Sequence, residues 1–188
     1  EGIDLSAFAI LRALGGAGTS DPATLYVCVG GVTNLALAEG GRCLFNRVVS
    51  GGSELLAQEL AERRGLTLSH AHGWLAHVGL EADVTALEGD PQIVTEAREV
   101  LMGGVRRIAD EIRNSLDFYR MQEGAVAVER AVLTGPAVGI PGFAEALSAE
   151  VGLPVETGVV AAADTVSPDV EPGRLVVAAG LAVEEVAA

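Results

Sequence analysis

All three histidines of the chain, His70, His72 and His77, fall inside the stretch "SHAHGWLAHVG" (69–79). Clustered imidazoles raise the question of a metal site. Zinc needs three or four ligands converging on one point. On a helix, neighbours on one face recur at i, i+3, i+4 and i+7. His70 and His77 share such a face, whereas His72 points elsewhere. The paired-histidine spacing of zinc proteases, i and i+4 with a Glu between, is not present. Cys28 and Cys43 lie far upstream in strand-like runs, poorly placed as further ligands. Ordinary helix surface, or a hydrogen-bonded histidine, is therefore the favoured reading over a metal site. Trp74 beside them reads as a packing residue, since indole is mostly buried in folded chains. "VSGGSELL" (49–56) offers a serine, but without the Gly-x-Ser-x-Gly elbow that exposes a nucleophile.

The elements that must position these residues follow from composition and period. The 188 residues are 49% hydrophobic and only 4% aromatic, which predicts a Val/Leu/Ala core. Acidic residues number 26 against 12 basic, a net charge of −14. That balance argues against nucleic acid and against anionic lipid as partners, because both need a basic surface. Two cysteines without a framework fit a reducing compartment. No apolar run reaches the length of a membrane span, and no signal peptide is visible. Glu1 in place of an initiating Met suggests a piece of a longer chain.

"DLSAFAILRAL" (4–14) has helical spacing, with Leu5, Phe8, Ala9, Leu11 and Arg12 on one stripe, and "GGAGTSDPA" (15–23) breaks it. Three strand-like runs follow at 24–29, 32–38 and 42–49, separated by Gly30-Gly31 and by Glu39-Gly40-Gly41. Tight glycine turns between them predict an antiparallel meander. Helix returns at 50–65, with Leu55, Leu56, Leu60 and Ala61 as its stripe and Gly65 as its C-cap. A shorter helix is expected over 66–80, capped by Ser69. The longest runs over 91–121, with Asp90 as N-cap and Pro91 in its first turn. Its apolar face is Ile93, Ala97, Val100, Leu101, Val105, Ile108, Ile112, Leu116 and Tyr119, over a length of about 45 Å. Gly103-Gly104 in its middle predicts a bend or a close helix crossing. Strand (130–135), helix (142–152), strand (154–160), a Pro/Asp loop and a last helix (173–187) complete the order. Such an order predicts an α/β fold with a five-stranded mixed sheet, flanking helices and a helical insertion.

The ordered stretches "VGGVTNLAL" (29–37), "LFNRVVSGGSELLAQELAERRGL" (44–66), "EIRNSLDFYRMQ" (111–122), "VLTGPAVGIPGFAEAL" (132–147), "VGLPVE" (151–156) and "VAAGLAVE" (177–184) carry a resemblance. Nearly the whole chain resembles the second lobe of the actin-like ATPases. Within them it is most similar to the type IV pilus assembly family PilM, a relative of the division actin FtsA, and "RNSLDFY" is the most distinctive stretch for the pilus branch. The resemblance implies an RNase H-like lobe in three parts. Residues 1–21 would be the last helix of an absent first lobe and its linker. Residues 22–49 with 125–188 would be a sheet subdomain, and 50–124 a helical insertion subdomain.

In that family two lobes clasp ATP and Mg2+, and the second phosphate turn reads Asp-Ile-Gly-x-x-Thr. This chain keeps Gly30, Gly31 and Thr33 but has Cys28 at the Asp position. A neutral thiol is a poor partner for Mg2+, which prefers hard oxygen ligands, and the favoured reading of Cys28 is a small buried hydrophobe on a strand. Gly51-Gly52 before a helix is retained; such a terminus holds anions, although a bare Gly-Gly turn is as often only a turn. The adenosine turn has Gly135-Pro136 where paired glycines are usual, so one N–H is lost. The family's Ala-Glu-x-x-Lys helix, which holds ribose and base, becomes Ala71-His72 with Leu75 at the Lys position. The resemblance thus implies a remodelled nucleotide wall. It implies a non-catalytic or weakly nucleotide-binding component of a pilus or competence platform, peripheral to the inner membrane through a PilN-like partner tail. No cofactor is expected of this chain, with ATP and Mg2+ left open for a full-length protein and a homo-oligomer left open as well. The alternatives are an active ATPase or kinase lobe, which the retained glycines favour, and an FtsA-like filament protein, against which "RNSLDFY" argues.

Overall fold

A computed structural model describes residues 4–15, 22–160 and 172–183. The glycine-rich linker at 16–21, the Pro/Asp loop at 161–171 and the end of the last helix expected at 184–187 lie outside the described residues. Described elements follow in the order α1 (Ser6–Leu14), β1 (Thr24–Val29), β2 (Thr33–Glu39), β3 (Arg42–Val49), α2 (Ser53–Arg64), α3 (Leu68–Val78), α4 (Pro91–Arg120), β4 (Arg130–Thr134), α5 (Phe143–Val151), β5 (Val155–Thr157) and α6 (Val176–Ala182).

The strands form one sheet in the order β3-β2-β1-β4-β5. The first three pair antiparallel, and β4 joins β1 in parallel, as does β5 with β4. β2 and β3 turn at Gly40-Gly41, both with positive φ (53° and 79°), as a two-residue hairpin requires. Every residue of β1 is buried, because both faces of this central strand are covered. Leu25, Val27 and Val29 enter the larger core with α2, α3, α4 and α5. Tyr26 and Cys28 point to a smaller core with Ala7, Ile10 and Leu11 of α1 and Val176 of α6. β2 separates the two cysteine-bearing strands: Cys28 lies opposite Asn34 at one end of it and Cys43 opposite Ala38 at the other.

α4 starts as its sequence demands, with the Asp90 carboxylate accepting from the N–H groups of Gln92 and Ile93. Gly104 marks a close crossing: a Cβ there would lie 2.4 Å from Leu56 Cδ2 of α2. A second crossing joins α1 to α6, where a Cβ on Gly180 would lie 1.8 Å from the carbonyl oxygen of Ala9. Arg12 Nε donates to the Gly180 carbonyl at 2.8 Å and holds that crossing.

Several expectations shift. α3 is capped by Thr67, whose hydroxyl accepts from the His70 N–H at 3.3 Å, and Ser69 lies within the first turn. The buried stripe of α2 is Leu56, Ala57 and Leu60, while Leu55 is exposed, because α2 presents Leu56 to Gly104. On α4, Val94 is buried and Ile93 only half-buried. On α1, Ile10 faces the sheet while Leu5 and Phe8 are exposed. β5 is three residues long, shorter than its apolar run.

Candidate functional site

The sheet's carboxyl-end turns meet at one place. β1 ends in the turn Gly30–Val32, closed by the Gly30 N–H donating to the Val32 carbonyl at 3.1 Å. Thr33, fully buried at the start of β2, spends its hydroxyl on the Gly51 carbonyl at 2.8 Å. Ser53 Oγ donates back to the Gly30 carbonyl at 3.3 Å. Gly52 is glycine because of contact, not conformation. Its φ of 172° is extended, but a Cβ would sit 2.0 Å from the Gly30 carbonyl oxygen. Gly135 needs glycine for both reasons, with φ 88° and a Cβ position 2.7 Å from the Val29 carbonyl oxygen. The Cδ of Pro136 lies 3.9 Å from the Cβ position of Gly30, and a Cβ on Gly173 would press on the Gly135 carbonyl at 2.1 Å.

Between these turns opens a pocket of about 510 Å³, lined by Cys28, Gly30, Gly31, Asn34, Pro136 and Arg174 among others. Gly30, Gly31, Gly135 and Pro136 therefore do converge. Gly51 and Gly52 form the back of the Gly30 turn and face a second hollow of about 320 Å³ between α2 and α4. Thr33 stands behind the turn as a tether. His72 lines neither hollow; its Nε2 lies 3.0 Å from Glu54 Oε2 in the first turn of α2. Leu75 is only 1% exposed and belongs to the main core, so it forms no part of a nucleotide wall. Its direction follows from α3 burying Ala71, Leu75 and Val78 on one stripe.

His70 and His77 flank Trp74 on the outer face of α3, with His77 edge-on to the indole. Trp74 is half-buried and packs against the main core. Among the described residues no three His, Cys, Asp or Glu side chains stand close enough together to hold a metal ion. Sequence reasoning missed Arg174, Asn34 and Glu54. Asn34 was reachable through strand alternation from Thr33. Arg174 reaches the pocket only because Gly173 packs on Gly135, which no local pattern announces.

No family model matches the sequence. No curated protein matches it either. Solved structures do match. The PilM–PilN type IV pilus biogenesis complex is 23% identical with a TM-score of 0.72, over 95% of this chain and 51% of that one. MreB5 of Spiroplasma citri bound to ADP is 14% identical with a TM-score of 0.67, over 95% and 58%. The ethanolamine utilization protein EutJ from Carboxydothermus hydrogenoformans is 18% identical with a TM-score of 0.61, over 93% and 52%. The chain has the actin-like ATPase fold. It spans about half the length of the solved structures it matches.

That fold raises the question of a metal-bound nucleotide. The described pocket lining carries no carboxylate, and its one charged side chain is the guanidinium of Arg174. Burial pushes the Cys28 thiol up to about 11, so it is neutral at pH 7. Thiol, amide and backbone groups make a poor set for Mg2+, which takes hard oxygen ligands and their water shell. The lining of this lobe does not fit the magnesium ion.

Proposed function

We propose that this chain is a lobe of a PilM-like scaffold in a type IV pilus, secretion or competence platform, and that it binds ATP·Mg weakly or not at all. The observation that carries the second half is Cys28, a buried neutral thiol at the strand end where the resembling family places a metal-orienting carboxylate. Losing one charged hydrogen bond costs about 1.5–3 kcal/mol, or one to two decades of affinity. The pilus half is supported by the likeness to the PilM–PilN complex and by the "RNSLDFY" stretch in α4. No helix among the described residues is long and apolar enough to cross a membrane. Anchorage in this reading therefore runs through a PilN-like inner-membrane partner, whose cytoplasmic tail the scaffold holds. The glycine turns favour a second reading, an active actin-like ATPase lobe, since their close backbone packing is intact.

Titration calorimetry with ATP and Mg2+ on the full-length protein tests the first reading. Micromolar binding would sink it. Magnesium-dependent binding gained only by Cys28→Asp supports loss by substitution. His72→Glu is a poor companion change, because it turns a second carboxylate toward Glu54, whose Oε2 now lies 3.0 Å from His72 Nε2. For the pilus half, a single-pass membrane protein with a short cytoplasmic tail encoded beside this chain would favour the assignment; the same calorimeter should detect binding of that tail as a peptide, and no heat would count against the assignment.

A further inference from the structure

The pocket between the glycine turns has the donor set of an anion site. Its described lining contains no carboxylate, and the charge it carries is the guanidinium of Arg174. Asn34 stands opposite Cys28 on β2 and adds amide donors on the same face of the sheet. Cys28 adds a thiol that keeps its proton at pH 7, because burial raises its pKa to about 11. Thr134 is the register partner of Cys28 in the parallel pairing of β1 with β4, so its side chain also leaves that face. It is fully buried, and its Oγ1 has no hydrogen-bond partner among the described residues. An unpaired buried hydroxyl is a cost to the fold that an acceptor reaching it removes.

The surroundings keep that sign. Glu54, in the first turn of α2, is turned to His72 and lines neither hollow. Gly31 leaves the approach open, since a Cβ there would meet nothing within 4 Å. At physiological ionic strength the net charge of −14 is screened beyond about 8 Å, so the lining decides. With Cys28 where the resembling family has a carboxylate, two consequences of opposite sign follow. The oxygens that would hold a magnesium ion's water shell are gone. So is a negative charge that would repel a bare phosphate. A ligand that brings the metal loses by the first, and a metal-free ligand gains by the second.

We propose that this pocket takes a di- or triphosphate anion without magnesium, and that magnesium weakens the binding. Arg174, the Asn34 amide and the Cys28 thiol supply donors to the phosphate oxygens. Thr134 gains the acceptor it lacks, directly or through one water. Magnesium withdraws the free anion from solution and cancels part of the charge that Arg174 attracts. The proposal rests on the reading that ATP·Mg binds weakly or not at all, and it goes further by naming the ligand that the altered lining prefers. A volume of about 510 Å³ lies within the range of small-molecule sites.

The test is calorimetric titration of the full-length protein at fixed ionic strength. The probes are ATP and inorganic pyrophosphate, each in EDTA and in millimolar magnesium. At least one chelated probe should bind, and magnesium should weaken it at least about tenfold. Tighter binding of ATP assigns the site to a nucleotide, and equal binding assigns it to the phosphate alone; either supports the anion site. Asn34→Asp, which puts a carboxylate on the pocket wall, should weaken metal-free binding about tenfold and reverse the effect of magnesium. Arg174→Gln should weaken it about threefold to tenfold, since Arg174 is exposed. Cys28→Ser should retain it, because one neutral donor replaces another. Melting curves establish that each variant is folded. No heat with either chelated probe overturns the proposal and leaves the reading of weak ATP·Mg binding in place. Binding that magnesium leaves unchanged overturns the proposal, and binding that requires magnesium overturns both. Metal-free binding that Asn34→Asp and Arg174→Gln leave unchanged puts the anion elsewhere and also overturns it.

Discussion

Adjacent glycines in the middle of α4 should respond to the same substitution with opposite signs. Gly103 and Gly104 occupy consecutive positions of one helix, so Gly→Ala brings each the same intrinsic gain, about 0.5–1 kcal/mol. Their surroundings differ. A Cβ on Gly103 meets only the tip of Arg107, at 3.5 Å, which is ordinary contact. A Cβ on Gly104 would stand 2.4 Å from Leu56 Cδ2, 2.8 Å from Cδ1 and 3.2 Å from Cγ. Leu56 is 2% exposed and packed in the main core, bordered by the hollow between α2 and α4. Overpacking of this kind costs about 1–3 kcal/mol. Gly103→Ala should therefore stabilise by about 0.5–1 kcal/mol, and Gly104→Ala should destabilise by up to about 2 kcal/mol net. The separation is of order 2 kcal/mol, or about 4–8 °C in Tm for a chain of this size. Urea unfolding at equal m-value, checked by thermal melts, measures both. Leu56→Ala combined with Gly104→Ala should show favourable coupling, because shortening Leu56 vacates the clashing volume. If Gly104→Ala stabilises as much as Gly103→Ala, the α2–α4 crossing is looser than described and the reasoning fails.

Two further outcomes follow from burial. Ile112 is 1% exposed within the main core, so Ile112→Asp, which places an unpaired charge there, should cost several kcal/mol; a variant that melts with the parent would mean the core face of α4 is misassigned. Cys28 has an alkaline signature: its pKa rises from the ordinary 9.0 to about 11 on folding, so the unfolded chain releases its proton first and stability falls between those pH values. The loss is about 2–3 kcal/mol by pH 11, and unfolding curves for Cys28→Ala should lack that part of the slope, whereas identical pH dependence in the variant and the parent would refute the buried thiol.

The sequence by itself determined what local chemistry determines. Asp90-Pro91 could only open a helix, Gly40-Gly41 could only turn a hairpin, and the change of period at residue 24 separated strands from helices. Those features depend on residues within a few positions of one another, so they were legible. The apolar face of α4 was legible for the same reason, down to Val100, Ile108 and Ile112, because a long amphipathic helix averages over small errors of phase.

Short helices did not average in that way, and tertiary contacts decided them. α2 buried Ala57 in place of Leu55 because its backbone had to meet Gly104 of α4. α3 turned Leu75 into the core and left His72 to pair with Glu54, although spacing along the helix put Leu75 and His72 on equal terms. The candidate pocket shows the same division. Each glycine turn was visible as a turn, and Cys28 as a departure from the resembling motif. That Gly30 would touch Gly52, that Gly135 would sit under Gly173, and that Arg174 would thereby reach the pocket were decided by the parallel pairing of β1 with β4 and by the course of the chain into α6. Those contacts join residues more than twenty, and up to about 145, positions apart. A sequence names such residues without saying that they meet, because the free energy that brings them together is spread over the whole core and not over either turn.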